Sequence, residues 1–235
     1  MKFHHLQRRQ FLKISSLSSV SLLLGGCGTP LFEDIVGTLA EPLNRKVGEL
    51  ILQPQKPVPE FKISEIEPEK LIVNTFRYTP VIDPEKYRLI IDGEVNNPLS
   101  LTLAEIYDLP QTSMIIRHVC VEGWAAIVQW GGVCLQELIA LAEPQANVKF
   151  AYFKSADGYY ESWDIASALH PQTLLAYEKN GQPLPVENGA PLRVASPIKL
   201  GYKQSKWVTQ ISLLSGLPIF KGYWEDQGYD WFAGI

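Results

Sequence analysis

The sequence predicts a mixed α+β domain that is mostly β. Three observations predict it. Short runs rich in apolar and β-branched residues outnumber helical patterns. Tight-turn dipeptides, such as Asp157-Gly158 and Asn180-Gly181, separate several of these runs. The helical patterns that do occur are short and carry their own start and stop signals. The 235 residues suit one domain of ordinary size. Hydrophobic residues make up 46% of the chain and charged residues 20%, which are globular values.

In chain order, residues 1–27 read as a targeting segment rather than as fold. Arg8-Arg9-Gln10-Phe11-Leu12-Lys13 has the twin-arginine pattern, with Gln7 where the full pattern has Ser or Thr. A mildly apolar, Ser-rich region follows over 14–24, too short and too polar for a membrane-spanning helix. It ends in Leu24-Gly25-Gly26-Cys27, which resembles a bacterial lipoprotein box. Cys27 then becomes the lipid-bearing N-terminus. A plain leader with an accidental cysteine is the alternative. Twin-arginine export carries folded proteins, so it suits a chain loaded with a cofactor before export. The expected location is exported and membrane-anchored, facing a bacterial periplasm.

Residues 28–68 read as a tether and approach segment. Ile35, Leu39, Leu43 and Val47 have the spacing of a short amphipathic helix despite Pro42. Pro54, Pro57 and Pro59 then favour extended chain. The folded domain spans 69–235 and ends in an aromatic, acidic tail. Residues 87–92 predict a strand and Asn96-Asn97-Pro98 a turn. Thr102 and Glu105 form a capping-box pair that opens a short helix running to about Asp108. Met114-Ile115-Ile116 reads as a buried strand that leads to Cys120 at its end. Leu135, Leu138, Ile139 and Ala142 make one face of a helix ended by Pro144. Residues 148–154 and 159–162 predict two strands joined by the Asp157-Gly158 turn, and Asp164 caps a short helix to Leu169. Further strands are expected over 173–177 and 192–195, and residues 207–214 close the sheet system.

The stretch with most chemistry is Arg117-His118-Val119-Cys120-Val121-Glu122-Gly123-Trp124. A thiol beside Arg and His can ionise and bind a metal. From composition alone, an inert core cysteine is the default reading. By strand alternation His118 shares a face with Cys120, which puts it near a bound metal or, equally, in the core. Of three cysteines, Cys27 belongs to the leader and Cys134 packs at a helix start. There is no CxxC or cysteine cluster, which excludes iron–sulfur and covalent haem motifs. Only His118 and His170 lie in the folded domain, too few for a histidine-based zinc site, and His170 reads as structural. A net charge of −4 with no basic run gives no sign of nucleic-acid binding.

Arg117 to Trp124 resembles the metal-ligand segment of the sulfite oxidase superfamily of molybdenum enzymes. It is most similar to the branch of periplasmic, single-domain enzymes that includes the catalytic subunit of the periplasmic methionine sulfoxide reductase. Asn74-Thr75-Phe76-Arg77-Tyr78, residues 170–176, residues 188–193, Gly201-Tyr202-Lys203 and Lys206-Trp207 resemble further segments in the same order. The resemblance implies a sulfite oxidase-type fold and a molybdenum–molybdopterin cofactor (a pyranopterin dithiolene). Cys120 is implied as the metal's protein ligand and, with His118, as the catalytic pair. Cofactor contacts are implied for Asn74, Arg77, Tyr78, Ser155, Asn188, Arg193, Gln204, Ser205 and Lys206. Arg193 and Lys206 bring positive charge to a phosphate, and Asn188 can donate and accept at a pterin edge. The implied reaction is two-electron oxygen-atom transfer on a sulfoxide or sulfite-like substrate, free or protein-bound. With no electron-relay motif in the chain, a separate membrane redox partner is expected, haem-bearing by analogy. The lack of room for an added dimerisation domain leads to the expectation of a monomeric catalytic unit. A cofactor-free periplasmic binding lipoprotein on the same fold is the alternative.

Overall fold

Two five-stranded sheets organise the structure, a computed structural model that describes residues 56–235. The first has the order β2 (Leu99–Leu101), β1 (Leu89–Gly93), β10 (Val208–Leu214), β5 (Phe150–Ser155), β6 (Tyr160–Asp164). The second runs β3 (Gln111–Val119), β4 (Ala125–Cys134), β7 (Leu174–Lys179), β8 (Gln182–Pro183), with β9 (Arg193–Ala195) also on β7. Three short helices join them: α1 (Leu103–Tyr107), α2 (Leu135–Leu141) and α3 (Ile165–Ala168). The mostly-β expectation holds. The twin-arginine segment, Cys27 and the helical spacing from Ile35 to Val47 lie outside the described residues.

Local chemistry accounts for most elements. Leu89 and Ile91 alternate into the core along β1, as do Met114, Ile116 and His118 along β3. The Thr102 hydroxyl accepts from the Glu105 amide at 3.2 Å, and the Glu105 carboxylate accepts from the Thr102 amide at 2.8 Å. That reciprocal pair starts α1. Asp164 does the same work for α3, accepting from the Ser167 amide at 2.8 Å. The Asn180-Gly181 turn pairs Lys179 with Gln182, as its residue types predict. Each fully buried Leu, Ile or Phe in the main core, such as Leu89, Ile106 and Phe153, contributes about 1.5–3 kcal/mol.

Three features position the site. β4 is buried nearly throughout because β3 and β7 flank it and a core cluster around Trp130 covers it. Gly132 permits the β4–β7 approach: a Cβ there would stand 2.2 Å from the Leu175 carbonyl oxygen. β10 does not close an edge but lies at the centre of its sheet, parallel to β1 and antiparallel to β5. The approach segment is docked rather than free over its later part. The Phe61 and Glu67 amides donate to Ile115 and Ile127 carbonyls at 2.9 Å, and the Val58 amide donates to Gln172 at 2.7 Å. His170, buried, accepts from the Gln172 amide at 3.0 Å, in line with a structural role.

Candidate active site

A cavity of about 210 Å³ opens where the β3–β4 hairpin tip, the 71–76 segment, the 201–206 segment and the C-terminal tail meet. Its lining includes Asn74, His118, Cys120, Asn188, Arg193, Gln204, Ser205 and Lys206. Eight of the expected residues therefore share one cavity.

Cys120 lies one residue past the end of β3, not within it, and opens the hairpin turn. Its amide donates to the Trp124 carbonyl at 2.9 Å, and the Gly123 amide returns to the Cys120 carbonyl at 3.1 Å. The thiol is free and half-buried. Glu122 holds this end together. Its Oε2 accepts from Trp124 Nε1 and Asn74 Nδ2, both at 2.9 Å, and lies 3.6 Å from Cys120 Sγ. The hydrogen bonds from Trp124 and Asn74 hold the Glu122 carboxyl below its usual range, so it is ionised. Burial pushes the Cys120 thiol up, and the Glu122 charge adds to the push. Without a cation beside it the thiol keeps its proton, and a bound metal would draw that proton off.

His118 is buried, with Nδ1 3.1 Å from Gln204 Oε1. The Gln204 amide is itself oriented, because its nitrogen donates to the Ser196 and Lys199 carbonyls at 2.9 Å. Oε1 is therefore the acceptor and His118 Nδ1 carries the proton. Burial first, then the Arg193 charge, push His118 down to about 3, so the ring is neutral at physiological pH. Its free face meets Gly201, where a Cβ would come within 2.9 Å of Nε2.

The far side of the cavity is cationic. Arg193 is buried, stacks 4.5 Å over Trp130, and donates to the Asn188 and Val194 carbonyls at 3.0 and 3.2 Å. Among the described residues no carboxylate pairs with it. Burial pushes Arg193 down to about 10, still protonated at neutral pH. Lys206 donates to backbone carbonyls of Asn74 and Glu187 and is pushed down to about 8 by burial and by Arg193. Asn188 accepts from Lys179 Nζ at 2.7 Å. A fixed guanidinium with no anion of its own is a ready site for one.

The remaining three expected residues stand outside the lining. Arg77 lies 4.9 Å over the Phe76 ring, Tyr78 donates to the Ala156 carbonyl at 3.1 Å, and the Ser155 hydroxyl is buried without a partner. Sequence reasoning missed Glu122, Gly201 and Tyr159 as lining residues. Glu122 was legible only as part of the cysteine segment. The tail does two jobs: Trp231 and Phe232 are buried, while Trp224 and Tyr229 reach the cavity.

A family model described as the oxidoreductase molybdopterin binding domain matches residues 77–224. The chain belongs to that family, the molybdopterin-dependent oxidoreductases of the sulfite oxidase superfamily. It is 36% identical over 237 residues to a protein of Azospira oryzae provisionally named protein-methionine-sulfoxide reductase subunit YedZ1, covering 97% of this chain and 87% of that one. It is 31% identical to the protein-methionine-sulfoxide reductase catalytic subunit MsrP of Burkholderia mallei, covering 92% of this chain and 71% of that one. In fold it is similar to the sulfane dehydrogenase SoxCD from Paracoccus pantotrophus, with a TM-score of 0.56 and 23% identity over 59% of this chain and 40% of that one. The fold is the sulfite oxidase-type molybdopterin-binding fold and the cofactor is molybdenum–molybdopterin.

The cavity fits that group. It offers a soft thiol and, in the same lining, a buried guanidinium that no carboxylate pairs with among the described residues, beside Lys206 and the Asp157 carboxyl. Among the described residues no three His, Cys, Asp or Glu side chains converge on a metal, so one thiolate suits a metal whose other ligands are brought by the cofactor. Among the same residues no helix is long and apolar enough to cross a membrane.

Proposed function

We propose that this chain is an exported, lipid-anchored catalytic subunit that reduces a sulfoxide by two-electron oxygen-atom transfer. The observation that carries the reading is one cavity holding both the Cys120 thiol and the unpaired Arg193 cation. Cys120 ligates the metal. Arg193 and Lys206 hold the cofactor's phosphate, and Asn188, Gln204 and Ser205 fix its polar edges. Asn74 and Glu122 orient the thiol end through their mutual hydrogen bond at 2.9 Å. His118 stays neutral, fixed by Gln204 at Nδ1 and packed against Gly201 at Nε2 beside the cavity. Tyr78 and Arg77 act from outside, holding the 74–78 segment against the β5–β6 turn through the Ala156 carbonyl and the approach of Arg77 to Gly158, while Ser155 at the end of β5 keeps a hydroxyl without a partner.

Bound there, the molybdenum centre supplies the two-electron change. The overall reaction takes a sulfoxide, two electrons and two protons to a thioether and water. The electrons come from a separate, haem-bearing partner in the same membrane. Trp224, Tyr229 and Val121 give the cavity an apolar border for the carbon groups that flank a sulfoxide sulfur. The names of the two relatives, both protein-methionine-sulfoxide reductase subunits, support that substrate class over sulfite. Residues 1–27 serve as leader, 28–68 as tether and approach segment, and 69–235 as the catalytic domain.

The test is purification from a cofactor-competent host. Molybdenum and pterin content are measured, and sulfoxides, N-oxides and sulfite are screened with artificial electron carriers. Bound molybdenum with sulfoxide reduction is expected. Sulfite oxidation without sulfoxide reduction would overturn the substrate, and protein free of molybdenum would favour a binding module.

A further inference from the structure

Behind the cavity wall lies a second set of charges that the site chemistry has not used. Glu161 on β6 and Lys203, at the end of the Gly201–Lys203 turn, are fully buried. Glu225, from the C-terminal tail, is buried beside them. Lys203 Nζ donates to Glu225 Oε1 and, at 2.9 Å, to the Ser162 carbonyl. Glu161 Oε1 accepts from the Ser205 amide at 3.1 Å and from the Ser205 hydroxyl at 2.8 Å. The second oxygens of both carboxyls, Glu161 Oε2 and Glu225 Oε2, are buried without a hydrogen-bond partner.

One ammonium cannot neutralise two ionised carboxylates. Full ionisation would leave a net negative charge in a region of low dielectric, with two acceptors unsatisfied. Retaining one proton removes the excess charge. No neighbour changes that balance. Tyr159 and Tyr202 are held protonated, first by burial and then by these same carboxylates. Lys199, next to Lys203, is paired with Asp164 at 3.0 Å. Asp226, next to Glu225, accepts from the Tyr160 hydroxyl at 2.9 Å.

We propose that Glu161, Lys203 and Glu225 form a proton store, and that Ser205, which lines the cavity, delivers its proton there during sulfoxide reduction. The proposal rests on the functional reading above, in which each turnover consumes two protons. The transfer moves a proton only. For delivery the contact seen in the structure, with the Ser205 hydroxyl donating to Glu161 Oε1, must reverse: the carboxyl turns to donate to Ser205 Oγ, and its proton moves to Oγ as the hydroxyl proton of Ser205 leaves into the cavity. The serine hydroxyl then donates to the ionised Glu161, as it does in the structure, and the buried carboxyl regains its proton from the cavity through the same hydroxyl. Glu161 touches no reacting atom and acts through Ser205. Burial first, with the Glu225 charge adding and Lys203 opposing, pushes Glu161 up from 4.5 to about 8. The store is therefore filled at neutral pH.

The test compares full-length wild type with Glu161→Gln and Glu225→Gln. Infrared titration, which needs no turnover, should show a protonated-carboxyl band at pH 7 in wild type that is lost as pH rises through about 8. Glu161→Gln should lack the band. Glu225→Gln should lose it at lower pH, because Lys203 then faces one carboxylate. A raised carboxyl pKa stabilises the fold fully below the unfolded value and less as pH rises through the folded one. Wild-type melting temperature should therefore fall between pH 4.5 and about 8, and Glu161→Gln should flatten that fall. With molybdenum content unchanged, Glu161→Gln should lower sulfoxide turnover roughly 100-fold and remove its alkaline limb near that pH. Absence of the band in wild type, or its persistence in Glu161→Gln, overturns the store. A band that behaves as expected with unchanged turnover overturns delivery and leaves the site reading intact. Wild-type protein without molybdenum or sulfoxide turnover overturns the site reading, and delivery with it.

Discussion

Replacing Arg193 by Gln should separate cofactor retention from folding. Burial holds Arg193 down from 12.5 to about 10, which corresponds to about 3 kcal/mol of unrelieved charge burial. The substitution removes that cost. It also removes hydrogen bonds to the Asn188 and Val194 carbonyls and the stacking on Trp130, each on the order of 1 kcal/mol. No carboxylate is stranded, unlike the breaking of a buried ion pair. Stability of the cofactor-free protein should therefore change by no more than about 1 kcal/mol. Cofactor affinity should fall on the order of 10- to 100-fold, the equivalent of one charge-assisted contact of about 1.5–3 kcal/mol. Pterin and molybdenum per chain are measured under limiting cofactor supply, beside denaturant unfolding of the cofactor-free protein. Wild-type cofactor content in the variant would refute the assignment of Arg193 to the phosphate. A loss of more than about 3 kcal/mol in the cofactor-free protein would show that the arginine holds up the fold instead.

Other perturbations act on different links. Cys120→Ala should abolish turnover and change the thiolate-to-metal absorption while most of the cofactor stays bound, because the phosphate contacts survive; metal content beside turnover checks this. Cys27→Ser should move the protein from the membrane to the soluble fraction, since two acyl chains give stable attachment where one is marginal; fractionation after leader removal reads it. Gly132→Ala should destabilise the fold by about 3 kcal/mol, at the upper end of overpacking, because its Cβ would meet the Leu175 carbonyl and the Ala176 Cα at 2.2 and 2.6 Å. Urea unfolding at constant slope measures it.

What the sequence made legible was local. The Thr102/Glu105 box, the Asp164 cap and the Asn180-Gly181 turn work through neighbours two or three residues away, and each forms as its residue types predict. The strand Ala125–Cys134 had no such signature. Flanked by strands on both edges and covered by core, it shows no alternation to read. Of the site, eight expected residues converge, yet the expectation rested on a resemblance between ordered segments and not on periodicity. The Glu161–Lys203–Glu225 cluster was invisible because its members lie on β6, a short turn and the tail. Nothing in a linear pattern announces that a lysine will sit between two acids from either side of it in the chain.

The central place of β10 has a consequence for the order of events in the cell. Its pairings with β1 and β5 join residues more than fifty positions apart, so the first sheet stays in two halves until Val208–Leu214 has been made. The cavity wall from Asn188 to Lys206 is synthesised just before that strand. Protein emerges from the ribosome N-terminus first, and long-range pairing is slow. A nascent chain can thus display its leading residues long before it owns a cavity able to grip anything. For the export proposed above, in which the cofactor is loaded first, recognition of residues 1–27 should follow the folding of residues 188–214.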